Sequence, residues 1–92
     1  MLSLPQFRNQ IDKLDNRIVE LLNRRMHLAR RIGKLKAQHG DHVYDRRREK
    51  ELLTRICKRQ KGPLSTKELR SIYLAVLRIS RQHQKRVVSR RS

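Results

Sequence analysis

The sequence predicts an all-α fold: three helices per chain, one very long and N-terminal, in an intertwined homodimer. Three observations carry this expectation. Leu4, Phe7, Ile11, Leu14, Ile18, Leu21, Leu28, Ile32 and Leu35 follow at three- and four-residue steps, a heptad seam on one helix. Two more amphipathic stretches follow, set off by Gly40 and by Gly62-Pro63, and no run alternates as a strand would. Finally, a helix of that length spans roughly 50 Å, whereas a compact chain of this size has a radius of gyration of about 12 Å. The remaining residues are too few to cover the seam, so a second copy related by a twofold axis is expected to do so.

The first helix should run from Leu4 to about Gln38. Ser3 can cap it with Gln6 as reciprocal partner, Pro5 is tolerated in the first turn, and Gly40 is a natural stop. One slot of its seam, between Leu21 and Leu28, holds Arg25. A guanidinium on a buried stripe is costly unless something meets it. Gly33 lies inside the helix at a cost of about 1 kcal/mol relative to alanine. Two readings of it stay open: close helix packing, or room for a ligand beside Arg25, Ala29 and Lys36.

The second helix should start from Asp45 as cap and reach about Arg59, with Leu52, Leu53 and Ile56 as its stripe. One turn back, that stripe meets Arg48 and Glu49, then Asp45. Ser65-Thr66-Lys67-Glu68 is a capping box that opens the third helix. Its stripe is Leu69, Ile72, Tyr73, Val76 and Ile79, and four-residue steps from Val76 reach Ser80 and Gln84. Residues 1–86 read as one domain, and the basic tail 87–92 is expected to be frayed.

Composition narrows the function. The 92 residues hold 25 Lys and Arg against 8 Asp and Glu, a net charge of +17, so an anionic partner or substrate is expected. Phe7, Tyr44 and Tyr73 are the only aromatic residues, thin for stacking on single-stranded bases. The single Cys57 excludes an internal disulfide and fits a reducing compartment. The N-terminus lacks a basic region followed by an apolar run, and no stretch is apolar enough to span a bilayer. A soluble cytoplasmic protein is expected. His27, His39, His42 and His83 have no metal-ligand spacing, so no metal is expected.

Each helix thus carries an apolar face interrupted by anion-binding or proton-accepting groups. Arg25 and Lys36 are separated by three turns, within about 20° of one face and about 16 Å along the axis. Arg48 and Glu49 come from the second helix, Ser80 and Gln84 from the third. A buried ion-pair network is the structural alternative, but such networks are often no more stable than apolar replacements. A pocket for a small, multiply charged molecule accounts for the pattern better.

These residues carry a resemblance over about residues 4–86. Phe7-Arg8-x-x-Ile11-Asp12-x-Leu14-Asp15 is followed by Leu21-Leu22-Asn23-Arg24-Arg25-Met26-x-Leu28-Ala29 and Ile32-Gly33-Lys34-Leu35-Lys36. Then come Val43-Tyr44-Asp45-Arg46-Arg47-Arg48-Glu49 and Ser80-Arg81-Gln82-His83-Gln84. In this order and spacing they resemble the all-helical class of chorismate mutase. The Gly62-Pro63-Leu64-Ser65 turn also resembles mutase domains fused ahead of prephenate dehydratase. The resemblance implies rearrangement of chorismate, a dianion, to prephenate in phenylalanine and tyrosine biosynthesis, with no covalent intermediate and no cofactor. It implies that Arg25 and the partner subunit's Arg8 clamp the two carboxylates, supported by Arg48 and Ser80. Lys36 and Gln84 would donate to the ether oxygen, while the Asp45 backbone and the Glu49 carboxylate would hold the ring hydroxyl. An aromatic-pathway enzyme acting in trans is a candidate partner.

Two other readings stand beside this one. A lyase removing pyruvate from isochorismate could use the same scaffold, but Asp45-x-x-Arg48-Glu49, which retains a group for the ring hydroxyl, favours the mutase. A non-enzymatic helical protein binding nucleic acid fits the charge. It does not fit polar groups aligned on inward faces, since phosphate binders place their basic residues outside.

Overall fold

Every helix begins on the side chain expected to cap it. The computed structural model describes residues 1–89 and consists of α1 (Leu4–His39), α2 (Arg46–Arg59) and α3 (Thr66–Ser89). At the start of α1 the Ser3 N–H donates to Gln6 Oε1 at 2.8 Å, and the Gln6 N–H donates back to Ser3 Oγ. The helix ends at Gly40, whose φ of 73° is a left-handed conformation that an L side chain resists. The Asp45 carboxylate accepts from the Arg48 N–H at 3.0 Å to open α2. Ser65 and Glu68 bond reciprocally at 2.9 and 3.0 Å to open α3. The Ser65 N–H, and then its hydroxyl, hold the Glu68 carboxyl below its ordinary pKa.

Helix α3 reaches Ser89, three residues into the basic tail that begins at residue 87. No glycine or proline interrupts its hydrogen-bond ladder, Val87 is half-buried, and Arg86 complements the negative end of the helix dipole. The rest of that tail, residues 90–92, lies outside the described residues.

Packing is uneven. Leu52 and Leu53 of α2 meet Leu77 of α3, with Ile56 and Tyr73 against them. On α1 only Ala29 and Gly33 are buried. Thus α3 packs on both other helices, while the α1 and α2 backbones stay apart. The early residues Leu69 and Tyr73 of α3 share a depression with Arg25, whereas its Gln84 meets Gly33. The two helices therefore run side by side in the same direction.

The chain measures 57 × 26 × 14 Å with a radius of gyration of 16.7 Å, against about 12 Å for a compact chain of this length. The α1 seam is uncovered from end to end, Leu4, Ile11, Leu14, Leu21 and Leu28 each keeping 55–60% of their exposure. No helix is long and apolar enough to cross a membrane among the described residues.

One α1–α3 contact makes stability depend on pH. Arg30 Nε–H donates to His83 Nδ1 at 3.1 Å, which requires that nitrogen to be unprotonated. Partial burial, then the charges of Arg30, Arg86 and His27, hold His83 below its ordinary pKa of 6.5. As pH falls through 6.5 the unfolded chain takes up a proton that the fold still refuses, so stability drops across that window and levels off below the folded value. Thermal melts across it should show a steeper acid loss for the native chain than for His83→Gln.

Candidate functional site

Where α1 and α2 stand apart, a cavity of about 430 Å³ opens and α3 closes it. That size is within the range of about 300–1,000 Å³ usual for small-molecule sites. Ala29, Leu52 and Leu77 form its buried apolar floor. Its polar lining is Arg25 and Lys36 from α1, Asp45, Arg48 and Glu49 from the start of α2, and Ser80 and Gln84 from α3. The fold thus brings seven of the eight sequence-predicted residues together. Arg8 is not among them: it lies on the exposed first part of α1, seventeen residues and about 25 Å from Arg25 along the axis.

The best-defined group is the Lys36 ammonium. It donates to the Val43 carbonyl at 2.7 Å and to Gln84 Oε1 at 3.0 Å. An ammonium has three N–H donors, so one remains for a ligand. The bond from Lys36 also fixes the Gln84 amide. With Oε1 accepting, the NH₂ group is left as a donor, and it reaches Ser80 Oγ only at 3.5 Å. Ser80 and Gln84 are 6% and 8% exposed, so these polar groups are held away from bulk water.

Gly33 makes that geometry attainable. A Cβ there would stand 2.7 Å from the Gln84 carbonyl oxygen and 2.8 Å from its Cα. Of its two readings, close packing holds: bare backbone lets α3 approach near enough for Gln84 to meet Lys36.

The site is electrostatically positive. Arg25 is half-buried and Arg48 sits at the exposed rim, and among the described residues neither pairs with a carboxylate. The carboxylate nearest in sequence, Glu49, bonds instead to Arg81. The Arg81 guanidinium also lies 4.7 Å from the centre of the Tyr44 ring. The stripe traced from Val76 missed Arg81, but a four-residue step from the buried Leu77 reaches it. A dry floor, one spare ammonium hydrogen, an amide donor and two uncommitted guanidinium groups suit a small molecule with several anionic or acceptor oxygens.

Comparison with known proteins identifies a family and relatives. Residues 7–85 match the family model described as chorismate mutase type II. The chain is 36% identical over 61 residues to the bifunctional chorismate mutase/prephenate dehydratase of Aquifex aeolicus, covering 66% of this chain and 17% of that protein. Against the chorismate mutase of Methanocaldococcus jannaschii it is 38% identical over 55 residues, 60% of this chain and 56% of the relative. The chain therefore spans about a sixth to about half the length of these relatives. Among solved structures it superposes on the Helicobacter pylori chorismate mutase in complex with prephenate with a TM-score of 0.86 and 32% identity, over 94% of this chain and 93% of that one.

Proposed function

This chain belongs to the chorismate mutase type II family, and from that membership we propose that it rearranges chorismate to prephenate within the cavity between α1, α2 and α3. The observation that carries the reading is Lys36, pinned by Val43 and Gln84 with one N–H to spare at a cationic, partly dry site. In this reaction the ether C–O bond breaks as a C–C bond forms within one molecule, so atoms and electrons balance without a co-reactant. C–O cleavage runs ahead, and negative charge grows on the ether oxygen. The third Lys36 N–H and the Gln84 NH₂ meet that oxygen. Because both are fixed before substrate arrives, they stabilise the growing charge more than the ground state.

The remaining groups select a conformer. Arg25 binds one carboxylate, with Arg48 and Ser80 in support, and the second is held by Arg8 of a partner subunit. The Asp45 backbone and the Glu49 carboxylate receive the ring hydroxyl. Holding both ends confines a flexible enolpyruvyl side chain to the compact shape that can react.

A homodimer with shared sites follows from two features. The α1 seam presents a line of half-exposed apolar residues, a surface of the kind that marks an interface. Arg8 and Arg25 of one chain are also too far apart to grip one small dianion. The protein would work in the cytoplasm, where the free thiol of Cys57 stays reduced, and an aromatic-pathway enzyme is a candidate partner in trans.

The direct test is to follow chorismate absorbance after adding purified protein and to identify the product. Prephenate supports the reading; unchanged chorismate ends it, and pyruvate release from isochorismate alone would establish the lyase instead. Site sharing has its own test. Arg8→Ala and Lys36→Ala chains, each inactive alone, should regain a fraction of activity when mixed, because one site of the mixed dimer is then intact. No recovery after confirmed subunit exchange would return Arg8 to a surface role.

A further inference from the structure

We infer that Arg81 is a positioning residue for this site, one that holds Glu49 away from the substrate-binding cations and aims it at the ring end; the inference rests on the chorismate reading above. The Arg81 guanidinium bonds to Oε1 of Glu49, and both side chains are well shielded, at 26% and 16% exposure. The same guanidinium lies over the Tyr44 ring at 4.7 Å. Tyr44 immediately precedes Asp45, the cap of α2. One side chain of α3 therefore ties together the first turn of α2 and the loop leading into it.

The electrostatics explain why such a tie is needed. Glu49 shares the cavity wall with Arg25 and Arg48. An untethered carboxylate there would swing to either guanidinium and neutralise a charge required by the substrate. Arg81 engages Oε1 instead and leaves Oε2 to accept from a hydroxyl. Arg25 and Arg48 stay uncommitted, and the carboxylate is held at one orientation.

The test is a kinetic double-mutant cycle with chorismate, using Arg81→Ala, Glu49→Gln and the pair. Loss of Arg81 should raise KM about tenfold, the scale of one charge-assisted hydrogen bond, with kcat reduced much less. In the Glu49→Gln background the same change should have little further effect, because there is no carboxylate left to restrain. Arg81→Lys should recover part of the lost KM and Arg81→Gln should not; these two fill similar space and decide the matter if the alanine variant fails to fold. A KM within twofold of the native chain, or strictly additive effects, would overturn the inference while leaving the mutase reading intact. A native chain that leaves chorismate unchanged would overturn the mutase reading, and this inference with it.

Discussion

Replacing Lys36 by alanine lowers kcat by about 10²- to 10³-fold or more, the loss typical of a fixed donor to a developing oxyanion. Two effects act together. The ammonium proposed to meet the ether oxygen is gone, and Gln84 Oε1 loses the partner that fixes its amide. With Oε1 unclaimed, the amide is free to turn an oxygen toward a reacting atom that is itself becoming negative. Substrate binding should change less, because the proposed carboxylate clamp of Arg25 and Arg48 remains. The fold also remains, since α1 packs on α3 at Gly33 and α2 packs on α3 through Leu52, Leu53 and Leu77, none of which needs the ammonium. Circular dichroism should be unchanged while stopped-flow or absorbance assays show the loss. Near-native turnover would remove Lys36 from the mechanism.

Gly33→Ala produces the largest loss of stability, about 1–3 kcal/mol by analogy with overpacked interiors. The sign is not obvious. Alanine inside an exposed helix would gain about 1 kcal/mol over glycine. Here the new methyl meets the carbonyl oxygen and Cα of Gln84 at 2.7 and 2.8 Å, and backbone of a packed helix cannot rotate aside as a flexible side chain would. Helix α3 must move back, carrying Gln84 out of reach of Lys36, so turnover should fall with stability. In a domain of this size each 1 kcal/mol corresponds to about 4–8 °C in Tm. Gly62→Ala is the control, because nothing lies within 4 Å of its added methyl. A rise in Tm for Gly33→Ala would mean that the helices yield more easily than their spacing implies.

Local rules made much of the molecule legible in its sequence. Ser3, Asp45 and Ser65 are recognisable caps because their partners lie within three residues, and Gly40 is a recognisable stop because of the conformation it adopts. The inward polar groups were visible as interruptions in a periodic apolar stripe. What stayed hidden depends on pairs distant in the chain. The role of Gly33 is decided by Gln84, fifty-one residues away, and that of Arg81 by Glu49 and Tyr44. No periodicity on one helix announces which backbone another will press against it.

Leu77, the adjacent pair Ser80 and Arg81, and Gln84 fall on three successive turns of α3. Two polar groups of the cavity wall, part of its floor and the partner that tethers Glu49 are therefore encoded by a stretch of eight codons. Rotating that short cylinder by a few degrees, or rewriting it alone, would alter the Gln84 donor, the hold on Glu49 and the floor in a single step. A library confined to this cassette would therefore vary donor, tether and floor together.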